Sequence, residues 1–273
     1  MVTTGRSGTL GEVLFQKVAS WPLNTCLWVK DFKGNNPKYV FYKLKTLELE
    51  QYNTGAGVPT LNRNHLDELR ITAHEVKEQR RIASILSAYD DLIENNSRRI
   101  EILEEVARRL YEEWFVNFRF PGHEEARFKE SELGRIPEGW KAEPIKDLCL
   151  KINSGSTPPR KNAELWENGT VCWFKTRELW DGFLFQSEEK ITEKAIGQGR
   201  ARIFDPGTIL MAIYGSPTVG RLGIVTERSS SNQAALGMVP DQDAICFWVF
   251  YFNLKALRAD FNSLAQGAAQ QNI

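Results

Sequence analysis

Apolar side chains recur at alternating spacings of three and four residues through the middle of the chain. Between Val76 and Phe115 there is neither glycine nor proline for 40 residues. The two interleaved seven-residue series are Leu86, Ile93, Ile100, Ala107 and Trp114, and Ile82, Tyr89, Asn96, Leu103 and Leu110. This a/d heptad pattern predicts a long coiled-coil helix over residues 76–118, in which a polar residue such as Asn96 fixes register. The 273 residues contain no second heptad stretch, so we expect the partner helix to come from elsewhere.

Shorter patterns on either side of this helix predict mixed α/β domains. In residues 1–75, GEVLFQKVA predicts a strand, residues 38–53 predict an amphipathic helix, and GAGVPTL predicts a loop that leads into another strand. Residues 119–139 are polar and interrupted by proline and glycine, which predicts a linker. From residue 140 the runs TVCWFKT, GTILMAIYG, RLGIVT and ALGMVP predict short strands, followed by a helix over 245–262. The predicted class is α+β, with two mixed domains separated by a long helix.

Part of the chain is repeated 209 positions later. VFYKLKTLELEQYN, residues 40–53, resembles VFYFNLKALRADFN, residues 249–262. The glycines and asparagines upstream follow nearly the same spacing, with Gly11 matching Gly220 and Asn24 matching Asn232. Matches in the same order indicate a duplicated domain. By this alignment residues 1–75 are expected to form the C-terminal part of a first domain, and residues 140–273 a second domain truncated near its end.

Composition narrows the class of protein. The hydrophobic content of 42% with 11% aromatic residues is enough for buried cores. Lysine plus arginine equals aspartate plus glutamate at 35 each, which argues against indiscriminate coating of nucleic acid but not against a local basic surface. The four cysteines stand singly and the three histidines are scattered, so we expect no metal site and no disulfide framework. No apolar run of membrane-spanning length and no signal sequence occur, and we expect a cytoplasmic protein.

Signatures of catalysis are weak throughout the sequence. GRSGTLGE near the start lacks the spacing of a phosphate-binding loop. No string resembles the N-P-P-[YF] motif of methyltransferases or the paired acidic motif of nucleases. We therefore expect no catalytic residues and no cofactor, and an autonomous nuclease or methyltransferase is not favoured.

Polar loops in both copies carry the residue types that bind nucleic acid. A single loop such as NSGSTPPRKN or SSSNQAA is usually only a polar turn, but hydroxyl, amide and basic side chains that recur in both copies favour contacts to phosphates and base edges. Lys175 and Arg177 stand at alternate positions of a predicted strand end and should point to one side. The candidate DNA-binding residues are Arg6, Ser7, Ser154, Ser156, Thr157, Lys175, Arg177, Tyr214, Ser216, Arg221, Asn232 and Gln233.

Three of these strings together resemble a known family. The helix that starts VKEQRRIASILSAYDDLIENN, the entry LGRIPEGW into the second domain, and the pairing of SGSTP at residues 154–158 with Asn232-Gln233 are similar to type I restriction-modification specificity (S) subunits. The resemblance implies two target-recognition domains, the first one partial here, that each read one half of a bipartite site in double-stranded DNA. It also implies a spacer helix that docks modification (methyltransferase) subunits and, through them, restriction/motor subunits. The alternative that the residues leave open is a coiled-coil scaffold that binds other proteins rather than DNA.

Overall fold

The computed structural model describes residues 1–215 and 217–264. By their internal contacts the residues fall into two compact units, Met1–Glu105 and Val106–Ile273. The long helix begins in the first unit, and its last residues belong to the second. Each unit has its own sheets and its own core.

The first unit contains a small antiparallel sheet with helices on it. Its strands are β1 (Val2–Gly5), β2 (Val13–Phe15) and β3 (Cys26–Trp28), in the spatial order β2-β1-β3. The helices are α1 (Pro37–Lys45) and α2 (Arg63–Glu68), with a 3-10 turn at Leu49–Tyr52 between them. Val2, Val13, Leu49 and Leu61 form the buried centre. The strand expected after GAGVPTL is reduced to isolated bridges at Thr60 and Leu61.

Helix α1 is shorter than the sequence pattern predicts. Asn36 caps its start by accepting a hydrogen bond of 3.0 Å from the Tyr39 amide, and Pro37 occupies the first turn, where its missing N–H is not needed. The helix ends at Lys45, and Glu48 adopts a left-handed backbone with φ of 45°. The helix predicted over residues 38–53 is therefore wrong in its second half, where the chain turns to bring Leu49 into the core.

The long helix is confirmed as α3 (Val76–Tyr111), 36 residues, and continues as a π-helical turn at Glu112–Val116. Within the first unit, Gln79 fixes its start by bonds to Asn35 and the His74 carbonyl of 2.7 and 2.8 Å. Trp114 lies in the π-helical turn, so its place in the heptad series is wrong, because that turn changes the number of residues per turn.

The heptad seam of α3 is mostly exposed. Of the predicted seam positions, Ile82, Ala107 and Trp114 are half-buried, whereas Leu86, Tyr89, Ile93, Asn96, Ile100, Leu103 and Leu110 are exposed. Ile93 and Leu103 are 64% and 65% exposed. A run of large apolar side chains this exposed is typical of a surface that another helix covers.

The second unit opens with a hairpin in the segment predicted as a linker. Strands β4 (Phe128–Ser131) and β5 (Gly134–Pro137) pair antiparallel. The end of the long helix packs beside them through an aromatic cluster in which Phe115, Phe118 and Phe120 surround Trp140 at ring distances of 5.3–5.8 Å. The predicted linker, residues 119–139, thus contains a hairpin, and Phe128 of β4 contacts the aromatic cluster through Phe118 at a ring distance of 5.9 Å.

Two sheets follow in the second unit. The five-stranded sheet has the order β6 (Cys149–Ser154), β14 (Ala235–Pro240), β11 (Ile209–Ala212), β12 (Leu222–Val225) and β8 (Gly182–Leu184). The four-stranded sheet has the order β10 (Ile203–Phe204), β13 (Ser229–Ser231), β7 (Val171–Phe174) and β9 (Glu189–Ile191). The helices are α4 (Glu193–Gly197), α5 (Phe247–Ala256) and α6 (Arg258–Leu264). The helix predicted over 245–262 is thus divided at Leu257. The four predicted strands are β7, β11, β12 and β14.

The five-stranded sheet is buried on both faces, which explains the unbroken apolar run ILMAI. Ile209 and Met211 pack with α5 residues Phe250 and Leu254. The alternate position, Leu210, packs on the other face in a cluster that includes strand residues of the four-stranded sheet. Successive strand residues point to opposite faces, so a sheet covered on both sides needs apolar residues at every position.

The repeat in the sequence is a repeat of structure. β1, β2 and β3 correspond to β11, β12 and β14, and both central strands pair antiparallel with both neighbours. The register agrees residue by residue: Thr3, Thr4 and Gly5 pair with Trp28, Leu27 and Cys26, as Leu210, Met211 and Ala212 pair with Gly237, Leu236 and Ala235. In each copy a helix follows, α1 in the first and α5 in the second.

Candidate nucleic-acid interface

Strand direction brings the polar loops of the second unit to one edge. Register places Ser154 opposite Leu236, Ala212 opposite Ala235, and Leu222 opposite Met211. The end of β6, the start of β14 and the β11–β12 connection therefore lie side by side. We call the residues 153–157, 213–221 and 231–234 the loop edge. Ser216, one of the predicted residues in it, lies outside the described residues.

The segments 153–157 and 231–234 are bonded directly to each other. The Ser156 amide donates to the Ser231 carbonyl at 2.8 Å, and the Thr157 hydroxyl donates to Gln233 Oε1 at 2.5 Å. A Cβ on Gly155 would lie 2.2 Å from the Ser231 hydroxyl oxygen, so only glycine permits this approach. The structure thus brings together predicted residues that are 76 positions apart in the chain.

Two further polar side chains extend this contact and were missed from the sequence. The Arg202 amide donates to the Ser156 hydroxyl at 2.7 Å, and its guanidinium donates to Asn153 Oδ1 at 2.5 Å. Asn153 stands in the same string as Ser154 and Ser156, but nothing near Arg202 in the sequence signals its place. Arg202 is exposed and so adds a cation to the loop edge.

Asn232 and Gln233 play different parts although they are adjacent. The Asn232 amide donates to the Phe174 carbonyl at 3.0 Å, and Asn232 Oδ1 is buried with no hydrogen-bond partner among the described residues. Gln233 is exposed. Gln233 is therefore the member of the pair that presents an amide to solvent, while Asn232 holds the loop against β7.

Lys175 and Arg177 do not lie on a strand, contrary to the sequence prediction. Strand β7 ends at Phe174, and Thr176–Glu178 form a 3-10 turn. Both side chains nevertheless lie on one side, because both pair with Glu188; the Lys175 Nζ–Glu188 Oε2 distance is 3.2 Å. Lys175 also pairs with Glu189 at 2.8 Å.

The β11–β12 connection holds the remaining predicted residues. The Arg221 guanidinium lies 4.5 Å from the ring centroid of Trp180, a cation–π contact, and Trp180 is 73% exposed. Asp181 fixes the neighbouring backbone: it accepts from the Leu222 amide at 3.0 Å and pairs with Arg258. Burial raises the pKa of Asp181, but Arg258 and the amide more than offset this and hold it below its usual value. Trp180 was not predicted from the sequence.

Tyr214 is only half available for a ligand. Its ring is partly buried against the core cluster beneath α5, and its carbonyl accepts from the Thr218 hydroxyl at 3.0 Å. Gly220, with φ of 77°, packs against Arg258 near the end of this connection. Tyr214 therefore contributes more to the support of the loop than to its exposed surface.

The first unit presents an equivalent loop. The Arg6 amide donates to the Thr25 carbonyl at 2.9 Å, and the Arg6 carbonyl accepts from the Leu61 amide at 2.8 Å. The Arg6 side chain is exposed, and Ser7 bridges to Thr60. Arg6 and Ser7 thus lie at the end of the β1–β3 pair that corresponds to the loop edge.

The described ranges, 1–215 and 217–264, bring no three His, Cys, Asp or Glu side chains together in a group that could hold a metal ion. Within the same ranges no helix has both the length and the apolar composition needed to cross a membrane.

Comparison with known proteins links this arrangement to one family. A family model described as the type I restriction modification DNA specificity domain matches residues 1–105 and 137–273. The specificity subunit of type I restriction enzyme MjaIX from Methanocaldococcus jannaschii is 30% identical over 177 residues, which cover 63% of this chain and 40% of the relative. The MjaVIII specificity subunit of the same organism is 29% identical over 195 residues, covering 69% and 44%. The chain spans less than half the length of these two relatives.

The fold has a counterpart among solved structures. The crystal structure of a type I restriction-modification system S subunit from M. genitalium superimposes with a TM-score of 0.55 at 17% identity. The match covers 96% of this chain and 65% of that one.

Proposed function

This chain belongs to the type I restriction-modification DNA specificity family, and on that premise we propose that it binds double-stranded DNA as a recognition subunit with no catalytic site. The observation that carries the proposal is the duplicated three-stranded unit, β1–β3 in the first copy and β11, β12 and β14 in the second, which presents polar and basic loops at the same end in both copies. Two equivalent loop edges suit a target read in two halves. We assign one half-site to each copy.

Affinity and specificity would come from different residues in and next to the loop edge. Arg202 and Arg221 are cations that suit phosphate contacts, which fix position on the duplex but carry little sequence information. Exposed Gln233 carries a side-chain amide, whose donor and acceptor are the groups that read an adenine in the major groove. We propose residues 1–75 and 140–273 as the two DNA-binding domains.

Helix α3 would set the spacing between the two half-sites and dock protein partners. Its exposed apolar seam supports a helical partner. We propose that the assembly includes the modification subunits and, through them, the restriction/motor subunits, which supply the catalytic activity.

Binding to DNA and its salt dependence test the proposal. Fluorescence anisotropy of the full chain with a 30-base-pair duplex should show binding that weakens steeply with salt, because bound cations release counterions from DNA. Gln233→Ala should cost about 1–3 kcal/mol on a matched half-site only. Arg202→Ala should instead weaken binding to matched and mismatched duplexes about equally.

The opposite outcome would favour a scaffold. Absence of duplex binding at low salt, together with a protein partner whose binding is insensitive to salt, would overturn the DNA-recognition proposal. Cleavage of DNA or turnover of S-adenosylmethionine by the purified chain would overturn the non-catalytic role.

A further inference from the structure

A network of five charged side chains lies beside the loop edge of the second unit. Glu189 accepts from the Arg160 guanidinium at 2.5 Å and from Lys175 Nζ at 2.8 Å. Glu188 accepts from Lys175 at 3.2 Å and from Arg177. The network thus runs Arg160–Glu189–Lys175–Glu188–Arg177, and each carboxylate joins two cations.

Strand pairing, backbone hydrogen bonds and aromatic contacts fix the positions of the residues in this network. Glu189 starts β9 directly opposite Trp173 of β7, two residues before Lys175. The Glu178 carboxylate accepts from the Lys175 amide at 2.8 Å and from the Glu188 amide at 2.7 Å, which ties the two segments together. The Arg160 guanidinium lies 3.9 and 4.7 Å from the ring centroids of Trp166 and Trp173. The backbone and the aromatic rings therefore hold the carboxylates at the cations.

The network is adjacent to residues of the loop edge. The Phe174 carbonyl, one residue before Lys175, accepts from the Asn232 amide, and Trp173 Nε1 donates to the Ser156 carbonyl at 2.9 Å. Any duplex that contacts Gln233 and Ser156 would pass close to these cations. The cations are then placed to meet phosphates.

The two glutamates reduce the charge that a duplex would meet. Arg160, Lys175 and Arg177 together carry three positive charges, and Glu188 and Glu189 leave a net of about one. Arg177, followed by Lys175, lowers the pKa of the Glu188 carboxyl. Burial raises the pKa of Glu189, but Lys175 and Arg160 more than offset it and lower the net value. Both carboxylates therefore stay ionised at neutral pH.

We propose that Glu188 and Glu189 determine specificity by screening Arg160, Lys175 and Arg177 from DNA phosphates of arbitrary sequence. Sequence-independent attraction to the backbone is purely electrostatic, so masked cations weaken it most. A correctly docked half-site supplies contacts at the loop edge that offset the breaking of these ion pairs. Specificity is the difference between the affinity for the target sequence and the affinity for other sequences, and the glutamates lower the affinity for other sequences. This inference rests on the proposed DNA-binding function.

The test uses the full chain and a 30-base-pair duplex of scrambled sequence. The double variant Glu188→Gln, Glu189→Gln should bind this duplex about tenfold more tightly at 100 mM salt, with a salt slope steeper by about one to two units. Each single variant should show a smaller gain. Glu188→Asp, which retains the charge, should bind as the unmodified chain does.

A matched control lies at the opposite end of the four-stranded sheet. Glu193 pairs with Arg228 at 2.6 Å, just before β13, so Glu193→Gln removes the same charge from an ion pair away from the loop edge. It should leave affinity and salt slope nearly unchanged. Circular dichroism checks that every variant is folded.

The outcomes separate the two proposals. If the unmodified chain binds duplex but the double variant binds equally or more weakly, the screening role is overturned and DNA binding stands. An equal gain from Glu193→Gln would likewise overturn it, since net charge alone would explain the effect. If the unmodified chain fails to bind any duplex at low salt, the proposed function itself fails.

Discussion

The two copies of the three-stranded unit, β1–β3 and β11, β12 and β14, share their strand register but differ in the helix that follows. In the first copy, α1 carries Lys38, Lys43 and Lys45, and the Tyr42 hydroxyl donates to Asp90 of the long helix at 2.6 Å. In the second copy, α5 is almost entirely apolar, with Phe250 and Leu254 buried against the sheet. The strand register is thus the same in both copies, although the residues that surround α1 and α5 differ. Backbone pairing and turn geometry fix the frame, while side-chain burial follows from the elements packed around it.

The connections at the loop edge differ as well. The β1–β2 connection covers residues 6–12 and the β11–β12 connection residues 213–221, two residues longer. The second-to-last residue of each is a glycine with positive φ, Gly11 at 84° and Gly220 at 77°. A constant frame with variable loops lets two copies present different chemistry to two half-sites, which is the arrangement that the proposed function needs.

The largest effect is expected on assembly with other proteins, from substitutions in helix α3, which belongs to neither copy. Ile93→Asp with Ile100→Asp should abolish association with a helical partner, because two charges would be buried in the seam without counterions. Both copies should stay folded, since these side chains are 64% and 57% exposed. Size-exclusion chromatography with light scattering, on the chain mixed with the modification subunit proposed as its partner, measures the loss.

Arg98→Asp is the control for that experiment. Arg98 lies on α3 at the heptad position opposite the seam and is exposed. Its replacement should leave association intact. Unchanged assembly in the double isoleucine variant would show that the seam is not the docking surface.

Equivalent aromatic residues of the two copies should differ in their contribution to stability. Phe250→Ala should destabilise the second unit by about 3–5 kcal/mol, because the ring is fully buried and its removal leaves a cavity. Its counterpart Phe41 is half-buried, so Phe41→Ala should cost the first unit less, about 1–2 kcal/mol. Urea unfolding followed by hydrogen exchange of peptides from each unit separates the two. Equal losses would contradict the difference in burial.

Alanine substitutions at Gly220 and Gly11 should differ in their cost to stability by less than the two phenylalanine substitutions do. Alanine at Gly220 would adopt a strained backbone, and its Cβ would lie 2.9 Å from Arg258 Cγ, in a side chain held by Asp181. At Gly11 the Cβ would meet the carboxylate of Glu50, an exposed side chain that can turn away. Gly220→Ala should cost about 2–3 kcal/mol and Gly11→Ala about 1–2.

Gly8→Ala isolates the backbone contribution. Gly8 has φ of 84° and nothing within 4 Å of a Cβ, so its replacement measures strain without a clash. Its cost in urea unfolding should not exceed that of Gly11→Ala. If all three variants were equally stable, side-chain crowding would play no part in closing these connections.

Local patterns predicted the elements whose apolar pattern is continuous along the chain. The heptads of α3 and the apolar run ILMAI of β11 each keep one spacing of apolar residues along the element. The helix and the strand could therefore be predicted from the sequence. The hairpin of β4 and β5 did not, because FKES and GRIP lack alternation and their order depends on the aromatic cluster around Trp140.

The candidate site was predicted in part for a similar reason. Polar loop composition pointed to Ser156 and Thr157, and the repetition of Asn24 at Asn232 pointed to the adjacent Gln233. The structure brings these residues together. Arg202, Trp180 and the Glu188–Glu189 pair come from segments without a repeated partner in the first copy. Their place depends on tertiary pairing of strands, which no local spacing encodes.

Hydrogen–deuterium exchange of the full chain, with and without a saturating 30-base-pair duplex at low salt, would show which segments of the two copies bind DNA. If both copies bind DNA through their loop edges, exchange should be slower in peptides that cover 153–157, 213–221 and 231–234, and in those that cover 6–12. Peptides at the opposite end of the sheets, 205–208 and 226–228, should exchange unchanged. Protection confined to that opposite end, or to the helix alone, would contradict the claim that both copies bind DNA through their loop edges.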